Sequence, residues 1–247
     1  MIKLFFISAA ILIAAIGCSS SSDADKGEST PSNTSRPDTR ETWAQAIQDS
    51  VADIQAQYDR VAAASDSAKG LLQTLLQRFE IVQDPMLVEP YRVVKGWSTH
   101  DTTGKQGILA RALEDGTIEI VVTAAVDFDF IELSAPGIGS IRSGNVPRGN
   151  ALHTVNNGLN RVAFNNAASL AGFVYDHADS EIRLGCGGVK DFVLTKAQKS
   201  MIADTYNFTH LLSVVNELDK QQAVLYNKLL LCNAKLGELT DSGHSDN

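Results

Sequence analysis

Three short polar segments of this chain carry side chains that could do chemistry. In the first, Asp127-Phe128-Asp129-Phe130, acidic and aromatic residues alternate, so on a strand both carboxylates would share one face. Two carboxylates placed in this way could bind calcium or form an acid–base pair. No calcium-loop spacing follows them. We favour the alternative, a half-buried strand whose acidic face meets solvent.

The second and third segments are Asp176-His177-Ala178-Asp179 and Gly185-Cys186-Gly187-Gly188. His177 could act as a base oriented by a carboxylate, and Cys186 could be an exposed nucleophile or redox thiol. In the alternative interpretations, His177 lies in a surface turn and Cys186 in a glycine-rich turn between strands. We favour these alternatives over the chemical roles. Because no CxxC, HxH or HExxH spacing occurs, we predict no catalytic residue, no metal ligand and no cofactor.

A binding site is better sought in the glycine-rich stretch from Gly137 to Asn150. It lacks the Lys-Ser/Thr ending of a phosphate-binding loop. Hydrogen-bonding side chains nevertheless recur along it, and loops on a rigid scaffold are where binding residues concentrate. The predicted binding residues are Arg142, Asn145, Arg148 and Asn150.

The segment that must position these side chains, residues 87–193, has the pattern of an antiparallel β-sandwich, jelly-roll-like in type. Asp115-Gly116 predicts a hairpin with a primed turn, and residues 167–171 predict one helical turn. The predicted strands are Tyr91–Trp97, Gly107–Leu113, Thr117–Thr123, Phe128–Leu133, Ser140–Arg142, Leu159–Phe164, Gly172–Tyr175, Ile182–Leu184 and Phe192–Leu194.

Heptad patterns on both sides of this segment predict two long helices, within residues 41–86 and 194–237. Capping boxes predict the helix starts, with Glu41 after Asp38 and Gln198 after Thr195, and Gly237 predicts a stop. The predicted helices span about residues 41–82 and 196–236. Their seams are Ala44, Ile47, Val51, Ile54, Tyr58, Val61, Ser65, Ala68, Leu72, Leu75, Phe79 and Val82 in the first, and Phe208, Leu211, Val215, Leu218, Gln222, Leu225, Leu229, Cys232 and Leu236 in the second.

Two helices of nearly equal length, each with one apolar seam, predict an antiparallel coiled-coil hairpin with the β-sandwich head inserted between them, an α+β fold. Packing of both helices on the head and packing between copies are the alternatives. Cys232 lies on the seam, where a thiol behaves as a small buried hydrophobe. This position disfavours a disulfide with Cys186, which an oxidising compartment would permit but not require.

The N-terminal residues have the layout of an export signal. Lys3 precedes an apolar run, Leu4–Ile16, and Gly17 stands directly before Cys18. This arrangement resembles a bacterial lipoprotein signal, although Ala15 stands where that pattern prefers Leu. The resemblance implies removal of residues 1–17, diacylation of Cys18 and, because serine follows the cysteine, transfer to the outer membrane.

The remaining segments and the charge complete the predicted organisation. Residues 18–40 and 238–247 are polar and predict a disordered linker and tail. The net charge of −8 argues against nucleic acid and anionic lipid surfaces as partners. We expect a lipid-anchored envelope protein, not an enzyme, whose head binds a protein or glycan. A small enzyme or enzyme inhibitor and a structural spacer or assembly subunit are the alternatives, and the oligomeric state and the side of the membrane stay open.

Overall fold

The computed structural model describes residues 39–83, 90–97, 106–188 and 190–241. The predicted signal, Cys18 and almost all of the predicted linker lie outside these residues, as do residues 242–247. The described elements are the helices α1 (Thr39–Leu76), α2 (Ala168–Asp176) and α3 (Lys196–Asp241), and the strands β1 (Phe79–Val82), β2 (Tyr91–Val94), β3 (Gly107–Leu113), β4 (Ile118–Ala124), β5 (Ile131–Ala135), β6 (Gly139–Arg142), β7 (His153–Asn156), β8 (Leu159–Phe164), β9 (Arg183–Cys186) and β10 (Lys190–Val193).

The strands form two antiparallel sheets. The first has six strands in the order β1-β2-β3-β4-β8-β7, and the second has four in the order β10-β9-β5-β6. Every pairing within the two sheets is antiparallel. The predicted α+β class, with antiparallel sheets between a long N-terminal and a long C-terminal helix, is confirmed.

Two hairpins show how local sequence determines the turn. At Asp115-Gly116 the predicted hairpin is present, but its turn is not primed, because only Gly116 has a positive φ, +84°. The amide of Gly116 donates to Leu113 O at 3.1 Å, as in a three-residue loop with a glycine bulge. The primed turn lies instead at Asn157-Gly158, between β7 and β8, where both φ values are positive.

The two sheets, α2 and the start of α3 contribute to one hydrophobic core. Small residues on β3 allow α3 to approach closely, and the Ala110 amide donates to the Met201 sulfur at 3.1 Å. Register places Arg111 opposite Glu119 on the other face of β3 and β4. These two charged side chains are as buried as their apolar neighbours.

The contacts between α1 and α3 pair early residues of α1 with late residues of α3, so the two helices run antiparallel where they touch. Tyr58 accepts a hydrogen bond from Gln222 at 3.1 Å, and Ser65 donates to Asp219 at 2.7 Å. At the far end from the sheets, Arg40 Nε donates to Leu239 O at 2.8 Å. Every predicted seam position within α1 and α3 is buried or half-buried, so the heptad pattern correctly marked the inward faces.

The helix bounds differ from the prediction at two places. The first helix ends at Leu76, and Phe79–Val82 is a strand, not a helix extension. The ring of Phe79 lies 4.8 Å from that of Phe208. This contact requires an apolar residue at position 79, and a strand can make it as well as a helix can. The second helix passes Gly237 and ends at Asp241, so the predicted stop is wrong. Its capping box is confirmed: Thr195 N donates to Gln198 Oε1 at 2.8 Å, and Gln198 N donates to Thr195 Oγ1 at 3.2 Å.

Two strand predictions need correction as well, and one strand was missed. Gly172–Tyr175 belongs to α2, because Leu170, Ala171 and Val174 form a buried helical face. Strand β7 was not predicted. The segment 127–130, predicted to include the start of a strand at Phe128, is a loop, and β5 begins only at Ile131.

Candidate functional site

The predicted binding loop and the acidic segment 127–130 meet at one place on the surface. Val146 N donates to Asp129 O at 2.6 Å, and Ser143 N donates to Ile131 O at 2.9 Å. The side chains of Phe128 and Val146 are buried, so apolar packing holds the two segments together from below.

Polar side chains from both segments, exposed except for the half-buried Asp129, then pair with one another. Arg148 Nε donates to Asp127 Oδ1 at 2.8 Å, with side chains 64% and 58% exposed. Asn145 Nδ2 donates to Asp129 Oδ2 at 3.3 Å. An Arg142 nitrogen donates to Asn145 Oδ1 at 3.0 Å. We call this cluster, Asp127, Asp129, Arg142, Asn145 and Arg148, the loop surface.

An aromatic ring supports one end of the loop surface. The Arg142 guanidinium lies 3.5 Å from the centre of the Phe130 ring, a cation–π arrangement that fixes the guanidinium plane. The cluster thus presents held guanidinium, amide and carboxylate groups to solvent. Such groups can exchange hydrogen bonds with carboxylate, amide or hydroxyl groups of a partner.

The structure brings three of the four predicted binding residues together. Asn150 has a different role, because its Oδ1 accepts from Leu152 N at 2.9 Å and its carbonyl accepts from His153 N. These bonds shape the turn that leads into β7. Of the acidic pair, Asp127 and Asp129 each accept from a loop donor, an arrangement different from the solvated strand face that the sequence favoured.

Sequence reasoning missed two polar residues beneath the loop surface. His153 and Asn160 are both buried. His153 Nδ1 lies 3.2 Å from Val146 O, and its Nε2 lies 3.3 Å from Asn160 Oδ1. Asn160 Nδ2 donates to Val126 O at 3.0 Å, so the pair connects the loop to the segment before Asp127. Without strand β7, the sequence offered no sign that His153 points inward.

The structure places the other two candidates for chemistry, Cys186 and His177, in packed positions. Cys186 ends β9 and is fully buried, Cys232 is half-buried, and no disulfide joins them. A Cβ at Gly187, where φ is +59°, would lie 3.3 Å from Phe128 Cβ, so this glycine permits close packing below the loop surface. His177 packs edge-on against Phe173, 4.8 Å between ring centroids.

A second surface feature is a polar groove of about 400 Å³ between the β3–β4 hairpin and α3. Asp115 Oδ1 accepts from the amide and hydroxyl of Thr117 at 2.8 and 2.7 Å. These bonds, the hydroxyl first, lower the pKa of Asp115. Both hydrogen bonds of this carboxylate therefore lie within the turn and stabilise it. The lining residues are Asp115, Gly116, Thr117, Ser213, Asn216, Glu217 and Lys220.

Within the described residues, no three His, Cys, Asp or Glu side chains gather as metal ligands. Of the helices among them, none has the length and apolar character needed to span a bilayer. Comparison of the chain with protein-family models, with curated proteins and with solved structures finds no match.

Proposed function

We propose that this protein is a lipid-anchored envelope protein that presents a β-rich head on a helical stalk and binds a partner without catalysis. The stalk is an antiparallel coiled-coil hairpin of α1 and α3. Its support is the series of contacts in opposite chain directions, from Ser65–Asp219 through Tyr58–Gln222 to Arg40–Leu239. The heptad seam of each helix faces the other helix along this series of contacts.

In this proposal the head is a sandwich of the two sheets. Its support is the single core that contains buried residues of both, such as Val122 and Val162 from the first sheet and Leu133 and Leu184 from the second. Sheets that share one core are a common solution to burying an apolar face on each.

The observation that carries the proposed presentation is the hydrogen bond from Arg40 to Leu239 O. It brings the first turn of α1 to the end of α3 that is remote from the sheets. A helix of 38 residues such as α1 is about 57 Å long. An acyl chain on Cys18 would therefore anchor the stalk at one end while the head extends from the other.

The proposed contact with a protein or glycan partner is the loop surface. Its guanidinium and carboxylate groups are exposed yet held by internal bonds, so less side-chain entropy is lost on binding. Mixed charge fits a polar partner with both donors and acceptors. No cofactor or metal is part of the proposal.

Two experiments test the proposal separately. Replacement of Cys18 by Ala should release the full chain from the membrane fraction, and retention in the membrane would refute the lipid anchor. For binding, a photoreactive amino acid at exposed Ala151, beside the loop surface, should capture a partner in cells.

The binding arm has a matched control in a second exposed ion pair, Arg183–Glu181, with an N–O distance of 2.9 Å. We expect Arg148→Glu to reduce capture at least about tenfold and Arg183→Glu to leave it unchanged. Equal effects, or no adduct at all, would refute the loop surface. If only shortening of both helices by a heptad impairs the cell, the spacer function is favoured instead.

A further inference from the structure

Helix α3 has a second lengthwise stripe, distinct from its heptad seam. Ile202, Thr209, Asn216, Ala223 and Leu230 recur at seven-residue intervals, which keeps neighbouring positions within about 20° of one another around a helix. Ile202 and Thr209 are buried against the head, whereas Leu230 is 51% exposed. The stripe that binds the head thus continues along α3 beyond it.

The continuation is apolar although it is exposed. Beside Leu230 lie Leu231, 64% exposed, and Val224, 54% exposed. Ala223, Asn227 and Ala234 are exposed on the same side. Scattered surface leucines need no explanation, but a contiguous apolar patch next to an established packing face indicates an interaction site.

The spacing of this patch is itself a heptad seam. Positions separated alternately by four and three residues run along it, and all of them are exposed. A helix with two heptad seams is suited to pack against two helical neighbours, and α1 covers only one. The seam consists of Lys220, Val224, Asn227, Leu231, Ala234 and Glu238.

The charges of the seam indicate what covers it. We propose that it binds the same seam of a second copy of this chain in antiparallel orientation. In one register Val224 lies opposite Ala234 of the other copy, and Asn227 opposite Leu231. In that same register Lys220 lies opposite Glu238 at both ends, so opposite charges flank a centre that is apolar except for Asn227.

A parallel pair is unfavourable for two reasons. It would oppose Lys220 to Lys220 and Glu238 to Glu238, which costs free energy. It would also bring two heads together on the same face of α3, since the head covers the earlier part of that face. The antiparallel pair overlaps over residues 220–238, about 27 Å, and leaves the heads at opposite ends. This inference depends neither on lipidation nor on the loop surface.

Engineered disulfides test the register in the full chain, with Cys232 replaced by Ser. The pair Val224→Cys and Ala234→Cys should form covalent dimers on oxidation, because each cysteine meets the other residue of a second copy. Val224→Cys alone should form few. The control pair Gln45→Cys and Gln55→Cys has the same spacing on the exposed side of α1. Dimers from Val224→Cys alone, or equal yields from the control pair, would overturn the proposal.

Charge reversal tests the same register without cysteines, by sedimentation of the detergent-extracted full chain. Lys220→Glu should weaken the dimer at least about tenfold, and adding Glu238→Lys should restore it. Arg60→Glu makes the same charge change on the exposed side of α1 and should have no effect. All three positions are exposed, and urea unfolding of each variant checks that folding is retained. A wild-type chain that is monomeric at every concentration would overturn the proposal.

Discussion

Arg111 and Glu119 lie directly opposite each other on β3 and β4 and form an ion pair in which each side chain is only 3% exposed. The Arg111 guanidinium also lies 4.6 Å from the centre of the buried Tyr91 ring. Removal of one partner of a buried pair leaves an uncompensated charge. We therefore expect Glu119→Ala to lower the free energy of unfolding by about 3–5 kcal/mol, measured by urea titration.

Two further variants identify the cause. Glu132→Ala, on the exposed side of β5, should cost little. Replacement of both Arg111 by Met and Glu119 by Leu should recover most of the lost stability, because an apolar pair leaves no buried charge. If the double variant is less stable than Glu119→Ala alone, the explanation by uncompensated charge is wrong.

The contribution of Asp204 to the free energy of unfolding should fall as the pH rises. Burial raises the pKa of this carboxyl above its usual 3.8, against the attraction of Arg78. The folded protein then binds more protons than the unfolded chain in the interval above 3.8, so ionisation of Asp204 costs stability as pH rises through it. We expect Asp204→Asn to be more stable than the wild type at pH 7 and equal to it below about pH 3. Lower stability of Asp204→Asn at pH 7, in urea unfolding, would contradict this account.

Asp219, on the same helix, should show the opposite dependence. The bond from Lys69, and next the bond from Ser65, lower the pKa of this carboxyl below 3.8. The unfolded chain then binds more protons below 3.8, so the stabilisation is present at neutral pH and is lost as pH falls through the folded pKa. Asp219→Asn should therefore lower the urea midpoint at pH 7 and not at acid pH. Asp59→Asn, on the exposed side of α1, is the control, and an equal effect there would remove any special role of Asp219.

The proposed hairpin predicts a disulfide to a native thiol. Contacts of Tyr58 with Gln222 and with the Tyr226 ring place Val51, about two helical turns earlier, level with Cys232. Val51→Cys should thus form an intramolecular disulfide with Cys232, visible as faster migration of the oxidised full chain on a denaturing gel. Ala52→Cys faces solvent and should not. Dimers without an intramolecular bond in Val51→Cys would refute the hairpin.

Heptad spacing was sufficient to predict which faces of α1 and α3 are inward, because that pattern depends only on neighbours three and four residues apart. It failed at Phe79, where the same spacing continues into a strand. The ring contact of Phe79 with Phe208 requires an apolar residue in either backbone conformation. Spacing alone therefore could not distinguish a helix from a strand at this position. Gly237 failed as a stop because its backbone does not adopt the left-handed conformation with which glycine commonly ends a helix, and α3 continues to Asp241.

Contacts between segments that are distant along the chain could not be predicted from the sequence. Arg142, Asn145 and Arg148 were predicted from a local run of polar residues, but their carboxylate partners at Asp127 and Asp129 were interpreted as a strand face. Arg111 and Glu119 were missed because a charged residue within a strand is usually exposed. Only the register of β3 and β4, together with burial of both faces, shows that these charges are internal.

Helix α3 also determines how the molecule can move as a whole. Its 46 residues run without interruption from the core, where Met201 and Ile202 are buried, to Asp241. The head and the proposed stalk thus share one continuous helix, with no loop between them along it. We therefore expect a tilt or rotation at the distal end of α3 to be transmitted through this helix to the sheets.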